Sequence, residues 1–449
     1  MLDGGEAANK SRLKIAVVGA GISGLSAAWL LFRRHDVTIY EKDSRLGGHS
    51  NTIDVPTPEG AIPVDTGFIV FNPKTYPNLC ALFRNLGVET VPSSMSFAVS
   101  LDDGALEYGG ASVASLFAQR RNLANPRFWS MLRDLVRFYK EAPASLSICE
   151  AKEITLGDYL LHSGYGATFC ADHLLPMASA IWSASPETLK RYPAAAFIRF
   201  FDNHGLLDLK QRPQWRTVTG GSRTYVSKIS SPFSQQARLR SPVRSVHRDA
   251  GGVIVATDKC TDRYDRLIVA AHADEALAML ADPSEREQRL LGAFRYTPNR
   301  AVLHSDPKLM PKRRAVWSSW NYLGDREDVS NDVCVTYWMN RLQTLGTCRD
   351  LFVTLNPRRE PAPGTVIRTE HYDHPVFTLE ALRAQRELAS LQGDRNTWFC
   401  GAYFGSGFHE DGLKSGLDAA EAIGGLDRPW KSSSSAHDAT FNKRGYVAQ

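Results

Sequence analysis

Residues 14–49 constrain this chain more than any other stretch, because they read as strand, glycine turn, helix, strand with little room for another order. Ile15 to Val18 is a β-branched run of the kind required by a strand buried on both faces. Gly19, Gly21 and Gly24 follow it at GxGxxG spacing. The first glycine permits the tight turn, the second lets backbone approach a pyrophosphate, and the third lets a helix pack on the strand. Ile22 and Ser23 open that helix, whose unpaired N–H groups and positive dipole end face the phosphates. Val37 to Tyr40 forms the second strand and delivers Glu41, 22 residues beyond Gly19, where a carboxylate accepts ribose hydroxyls.

GxGxxG alone is weak evidence, and two plainer readings compete with it. Residues 15–32 carry no charge and follow Lys10, Arg12 and Lys14, as in a signal peptide or a membrane helix. The glycines inside the run and the strand ending in Glu41 favour the nucleotide fold. The other reading is a Rossmann unit for NAD(P). Arg45-Leu46-Gly47-Gly48, a turn directly after the ribose carboxylate, shifts the balance to FAD. This extended fingerprint resembles that of the amine oxidase and phytoene desaturase flavoprotein superfamily, in which the glycine pair passes close to the pyrophosphate and ribityl chain. His49 departs from the pattern, since many relatives carry Arg there.

The rest of the chain bounds the class. At 449 residues, 43% hydrophobic and 22% charged, it exceeds one ordinary core and predicts two domains of a soluble globular protein. Net charge of +5 is spread thinly, without a basic run or array pointing to nucleic acid, and leaves at most peripheral contact with anionic lipid. The seven cysteines are odd in number and include no CxxC pair, which predicts reduced thiols, a cytoplasmic location and no metal site.

Segments alternate between two characters. The fold class expected is α/β: a Rossmann-type FAD-binding domain from residues 13–92, 215–280 and 390–430, interleaved with an α+β substrate or cap domain from 93–214 and 281–389 containing an antiparallel sheet. Residues 1–12 read as a disordered leader and 431–449 as a flexible polar tail. Ile62 to Phe68 reads as a strand ending in a glycine turn, and Tyr76 to Gly87 as an amphipathic helix. Apolar spacings of three and four between Phe128 and Phe138 mark a buried helical face. The mostly apolar run Leu174 to Ser183 suits either a core or a cavity wall. Period two along Val333 to Asn340 sets Val335 and Tyr337 against Thr336 and Trp338 on opposite faces of a strand.

Near the C-terminus, Thr397 to Gly401, the loop Gly405 to Gly412 and a helix from Leu413 repeat the design of strand, glycine loop and helix start, again presenting N–H groups to something negative. The superfamily resemblance covers residues 13–425 and implies that Gly67 and Phe68 pass the flavin ring and that Val243 packs by the adenine. It further implies that Gly401, His409, Glu410 and Gly412 serve the pyrimidine end, where N–H donors favour reduced flavin. Leu46-Gly47-Gly48-His49, Met95 to Val99, Val335 to Asn340 and Gly407 to Leu413 are similar to a narrower subgroup. Its members are NAD/FAD-binding proteins associated with cyclopropane fatty acid synthases, including the oxidase-like N-terminal half of the plant enzymes.

That likeness implies a small hydrophobic or lipid substrate and a fatty-acid methyltransferase as partner. Departures from working amine oxidases point the same way. Phe408 stands where a cage Tyr is usual, Ala402-Tyr403 where an acidic residue is usual, and Arg300 nearest the place of the flavin-proximal Lys. His371, Tyr372 and His374 precede the last strand without a Cys, so non-covalent FAD is expected. His409, His374 and Trp338 are the candidate catalytic groups, with a purely structural role for His409 as the alternative. The reaction classes left open are hydride transfer with a fatty acyl chain, amine oxidation, redox-neutral double-bond isomerisation, and a flavoprotein partner without turnover.

Overall fold

In the computed structural model, residues 12–208, 213–326, 333–424 and 426–430 are described; most of the expected leader and the whole tail lie outside them. Lys14–Val18 pairs in parallel with Asp36–Tyr40 on one side and with Arg266–Val269 on the other. Thr397–Phe399 and Ala237–Arg238 complete a five-stranded parallel sheet drawn from distant parts of the chain. Helix Ile22–Leu31 is buried along its whole length, lying between this sheet and helix His409–Gly424. The two helices approach so closely that a Cβ on Gly416 would stand 2.1 Å from the Ser23 carbonyl oxygen.

The chain from Thr261 to Val269 is shared between two sheets. Thr261–Tyr264 joins an antiparallel sheet with Val243–Asp249 and Gly252–Thr257, whereas Arg266–Val269 enters the parallel sheet. Asp265 makes the switch: its N–H donates to the Lys14 carbonyl at 2.8 Å, and its carboxylate accepts the Lys14 N–H at 2.7 Å.

The second large sheet has the order Val366–Val376, Arg295–His304, Phe352–Leu355, Cys334–Trp338, Trp320–Gly324, Phe97–Leu101, Leu106–Gly109. The expected antiparallel arrangement holds except where Trp320–Gly324 runs parallel to Phe97–Leu101. Those strands come from separate chain segments, so no hairpin dictates their direction. The sheet face bearing Val335 packs on Phe128 and Met131 of helix Pro126–Lys152 and on Ala180 of helix Leu175–Trp182. The opposite face carries Trp338 against Met310, Trp317 and Phe352. Among the described residues no helix is long and apolar enough to cross a membrane, and no group of His, Cys, Asp or Glu has the arrangement to hold a metal ion.

Candidate active site

A cavity of about 1000 Å³ runs from the glycine turn across to the large sheet. At one end Gly19 takes φ of +99°, and a Cβ there would lie 2.6 Å from the Ala270 carbonyl oxygen. Gly24 meets the Gly19 carbonyl even more closely, at 1.9 Å from its Cβ position, so it serves the contact of helix with strand. Gly21 is different: a Cβ there would meet nothing within 4 Å and would project into open space. Ile22 and Ser23 line the cavity beside it at the helix start. Glu41 braces the turn, one carboxylate oxygen accepting the Ala20 N–H at 2.8 Å and the other the Asp43 N–H at 2.9 Å. Burial raises its pKa, and those two donors pull it back. Gly47 and Gly48, with φ of +112° and +55°, fold over this turn; a Cβ on Gly48 would come 3.1 Å from the Gly21 Cα. Val243 lines the cavity near Glu41.

Toward the other end Phe68, directly after Gly67, stacks face to face on the His409 ring at 3.8 Å and 10°. His409 opens helix His409–Gly424, and its Nε2 bonds the Tyr225 hydroxyl at 2.7 Å. That hydroxyl is in turn bonded to Ser50 Oγ. Burial drives the His409 pKa down to about 3, so the ring is neutral. Asp411 draws the loop from Gly401 to Phe408 onto the helix start by accepting N–H groups from Ser406 at 3.0 Å and Phe408 at 2.9 Å. Burial pushes this carboxyl up to about 6, against the pull of those donors. Gly407, with φ of +91°, makes the bend.

One wall is a group of imidazoles. The His49 ring lies 4.9 Å from Tyr372, 5.8 Å from His374 and 6.3 Å from His272. His272 stacks on Tyr296 at 4.3 Å, and the Tyr296 hydroxyl accepts the Ala273 N–H at 3.0 Å. The Tyr372 hydroxyl bonds the Asn51 amide at 3.0 Å and the Thr66 hydroxyl at 2.8 Å. Burial, then the neighbouring His374 and His272, holds His49 well below its usual pKa. Burial likewise takes His374 to about 4, with His272 adding to the effect. His272 and Tyr296 carry no motif; the cue for His272 was its place just past the end of a central strand, where ligands of open α/β sheets bind. Tyr225 stands in the segment from residue 215, expected only to return to the FAD-binding domain.

Four expected residues stand elsewhere. The Glu410 carboxylate accepts both N–H groups of Asn78 at 2.8 Å and the Leu79 N–H at 2.9 Å, capping helix Pro77–Leu86. Successive positions on a helix point about 100° apart, so His409 at the cavity turns Glu410 away from it. A Cβ on Gly412 would come 3.0 Å from the Ile22 and Ser23 side chains, which makes it a helix-packing position. Trp338 alternates away from Tyr337, donating its Nε1–H to Asp350 at 3.0 Å and meeting Trp317 edge-on at 5.3 Å. Arg300 pairs with Glu360 at the surface, while Tyr296 of the same strand lines the cavity.

Where the cavity borders the large sheet and helix Leu175–Trp182 it forms a chamber lined by Met95, Phe97, Met177, Ile181, Trp182 and Leu206, together with Trp215, Trp320 and Leu355. Phe408 stacks on Phe200 at 4.7 Å and sits 5.7 Å from the His204 ring. His204 is neutral too, its pKa taken to about 4 by burial. The run Leu174 to Ser183 therefore serves both expectations: Met177 and Ile181 face the chamber while Ala178 and Ser179 are buried away from water.

The model of flavin containing amine oxidoreductases matches residues 22–424. The chain belongs to this family. Its cofactor is FAD, and the site suits it: Gly21 leaves its space free, two left-handed glycines lie over the turn, and two helix starts face the cavity. AofH of Mycobacterium tuberculosis, assigned by name to the flavin-containing monoamine oxidases, is 26% identical over 275 residues, 60% of this chain and 59% of that protein. Carotenoid phi-ring synthase of Streptomyces griseus is 28% identical over 297 residues, 60% of this chain and 54% of that enzyme. The chain thus spans under three fifths of the length of these curated relatives. The CLA-producing fatty acid isomerase from P. acnes superposes with a TM-score of 0.64 at 15% identity, over 92% of this chain and 98% of that one. Cyclohexylamine oxidase from Brevibacterium oxydans gives 0.64 at 17%, over 92% and 99%. At such identities these likenesses establish the fold of the flavin-dependent amine oxidases.

Proposed function

We propose that this flavoprotein oxidises or reduces a long apolar substrate of the fatty acyl class, with FAD held non-covalently. The observation that carries this reading is the chamber wall, built from Met, Ile, Leu, Phe and Trp side chains. Bound FAD supplies hydride exchange at its N5, and the protein supplies orientation and exclusion of water. The chain's own contribution is a dry, neutral environment: His409, His374 and His204 are all kept uncharged by burial. An ammonium substrate finds an aromatic stack of Phe408 on Phe200 there, but a neutral hydrocarbon loses nothing on entry. His409, anchored by Tyr225, fixes the helix start whose N–H groups serve the pyrimidine end. Cys400, beside Gly401, is buried with its thiol pushed up, which keeps it from acting as a nucleophile toward the flavin.

The fatty acid isomerase and the carotenoid enzyme among the similar proteins support a lipid; AofH and cyclohexylamine oxidase support an amine. The deciding experiment is anaerobic mixing of the holoprotein with fatty acids, lipid extracts and an amine panel while oxidised-flavin absorbance is followed, then mass spectrometry of the products. Bleaching by lipid supports the proposal, and bleaching by amines alone overturns it. A rearranged lipid formed without oxygen uptake assigns redox-neutral isomerisation instead. A fatty-acid methyltransferase as partner is tested separately, by co-purification from the native cell.

A further inference from the structure

Among the described residues, six of the eight large apolar side chains that are exposed fall between residues 113 and 161. Trp129 and Val136, 49% and 42% exposed, sit seven apart and therefore on one face of helix Pro126–Lys152. Leu123 extends this face, since its carbonyl accepts the Trp129 indole N–H at 2.9 Å. Leu161, 77% exposed, lies beside it, because Arg137 of the long helix reaches over to the carbonyls of Ser163 and Gly164 at 3.2 and 3.0 Å.

Cations outnumber acids around this face. Residues 120–141 contain Arg120, Arg121, Arg127, Arg133, Arg137 and Lys140 against Asp134, which is buried, and Glu141, which pairs with Arg137 at 3.8 Å; Asp158 is a further exposed acid, one turn before Leu161. Arg133 and Lys140 occupy the positions that interleave with Trp129 and Val136 at helical spacing, and both are exposed. Apolar side chains framed by cations with long stems, on a helix whose other face is packed, match the pattern that inserts shallowly into an anionic lipid interface. Arg133 and Lys140, beside Trp129 and Val136, have no acid between them on this stripe, and anionic headgroups attract each Lys or Arg brought near them.

We propose that this face of helix Pro126–Lys152, with Leu123 and Leu161, docks the protein on an anionic bilayer surface. Its position bears on the chamber. The inner face of the same helix, through Phe128 and Met131, packs with Ala180 of the helix whose Met177 and Ile181 wall the cavity. Arg127, on the side of the helix turned away from Trp129, holds Asp172 by two bonds at 2.9 and 3.1 Å, within a π-helical turn leading into that wall helix. The docked face thus stands one helix away from the substrate chamber. The link to substrate delivery rests on the lipid reading above, whereas docking itself does not.

The test is sedimentation of the full-length holoprotein with vesicles of phosphatidylglycerol and phosphatidylcholine, compared with pure phosphatidylcholine, in low and high salt. Vesicle binding is read without turnover, so it fails or succeeds independently of the substrate assignment. Binding to the anionic vesicles is expected, with a blue shift of indole fluorescence that Trp129→Ser diminishes. Raising salt to about 0.5 M weakens it, and the pair Arg133→Glu with Lys140→Glu lowers it about tenfold or more. Unchanged flavin absorbance per protein shows that the variants fold. Absence of binding to anionic vesicles in low salt overturns the proposal, as does equal binding by the charge-reversed pair. A dimer in solution that Trp129→Ser dissociates also overturns it, by giving the face to a second copy of the chain.

Discussion

Three of the imidazoles at the cavity, those of His409, His374 and His204, owe their neutrality to burial, and this has a pH signature. For His409 the folded pKa of about 3 lies below the ordinary 6.5, so between these values the unfolded chain binds a proton that the folded one does not. Stability is therefore complete above pH 6.5 and falls as pH drops toward 3. Urea unfolding of the apoprotein at pH 7.5 and at pH 5 is expected to show a loss that His409→Gln reduces by up to ~2 kcal/mol. Tyr225, which holds the His409 ring from one side while Ser50 holds the hydroxyl from the other, is the matching support. Tyr225→Phe leaves a buried ring nitrogen without its partner and should cost ~1–3 kcal/mol in the same measurement. Gly21 separates cofactor binding from folding: Gly21→Ala meets no protein atom, so the apoprotein melting temperature should hold. FAD affinity, read by titration, should weaken at least roughly tenfold, since the methyl group occupies the space of the pyrophosphate.

At the scale of elements, helices Ile22–Leu31 and His409–Gly424 form the joint that brings the two glycine loops to one cavity. Their contact runs through Gly412 and Gly416, where side chains would collide with Ser23 and Ser26. Gly416→Ala places a Cβ 2.1 Å from a backbone oxygen that cannot rotate aside. A loss of ~1–3 kcal/mol is expected in chemical denaturation, together with faster FAD release, because the second helix start would shift relative to the first. This joint was partly legible from residue types, since both loops announce helix starts. What was not legible was that Glu410 points across to Asn78 and Leu79: glycine spacing gives the existence of a loop, and helical phase decides which side chain faces inward. Trp338 fails for the analogous reason in a strand. Period two separates it from Tyr337 but cannot say which face borders the cavity.

For the whole molecule, the decisive geometry is the meeting of two sheets of different origin. The parallel sheet presents strand ends and glycine turns, and the large sheet supplies Tyr296, Tyr337, Tyr372 and His374 from strands far apart in the chain. Asp65 ties the halves together, accepting the Ser222 N–H at 2.9 Å and the Gln343 amide at 2.9 Å. If the chamber so formed selects hydrocarbon, Ile181→Asp should leave flavin content unchanged. The same change should slow lipid-driven flavin bleaching at least roughly tenfold in stopped-flow mixing, because a carboxylate there must be desolvated or shed its charge.

The sequence by itself determined the cofactor and the fold class, because residues 14–49 and 397–412 encode their roles locally: glycines where backbone must turn or approach, a carboxylate at a fixed distance, apolar runs where a strand is covered on both sides. Tertiary structure alone decided the company each side chain keeps. His49, His272 and His374 are separated by more than a hundred residues at each step, and Phe68 lies 341 residues from His409 in sequence; their contacts depend on strand order and crossing helices, to which no local spacing is sensitive.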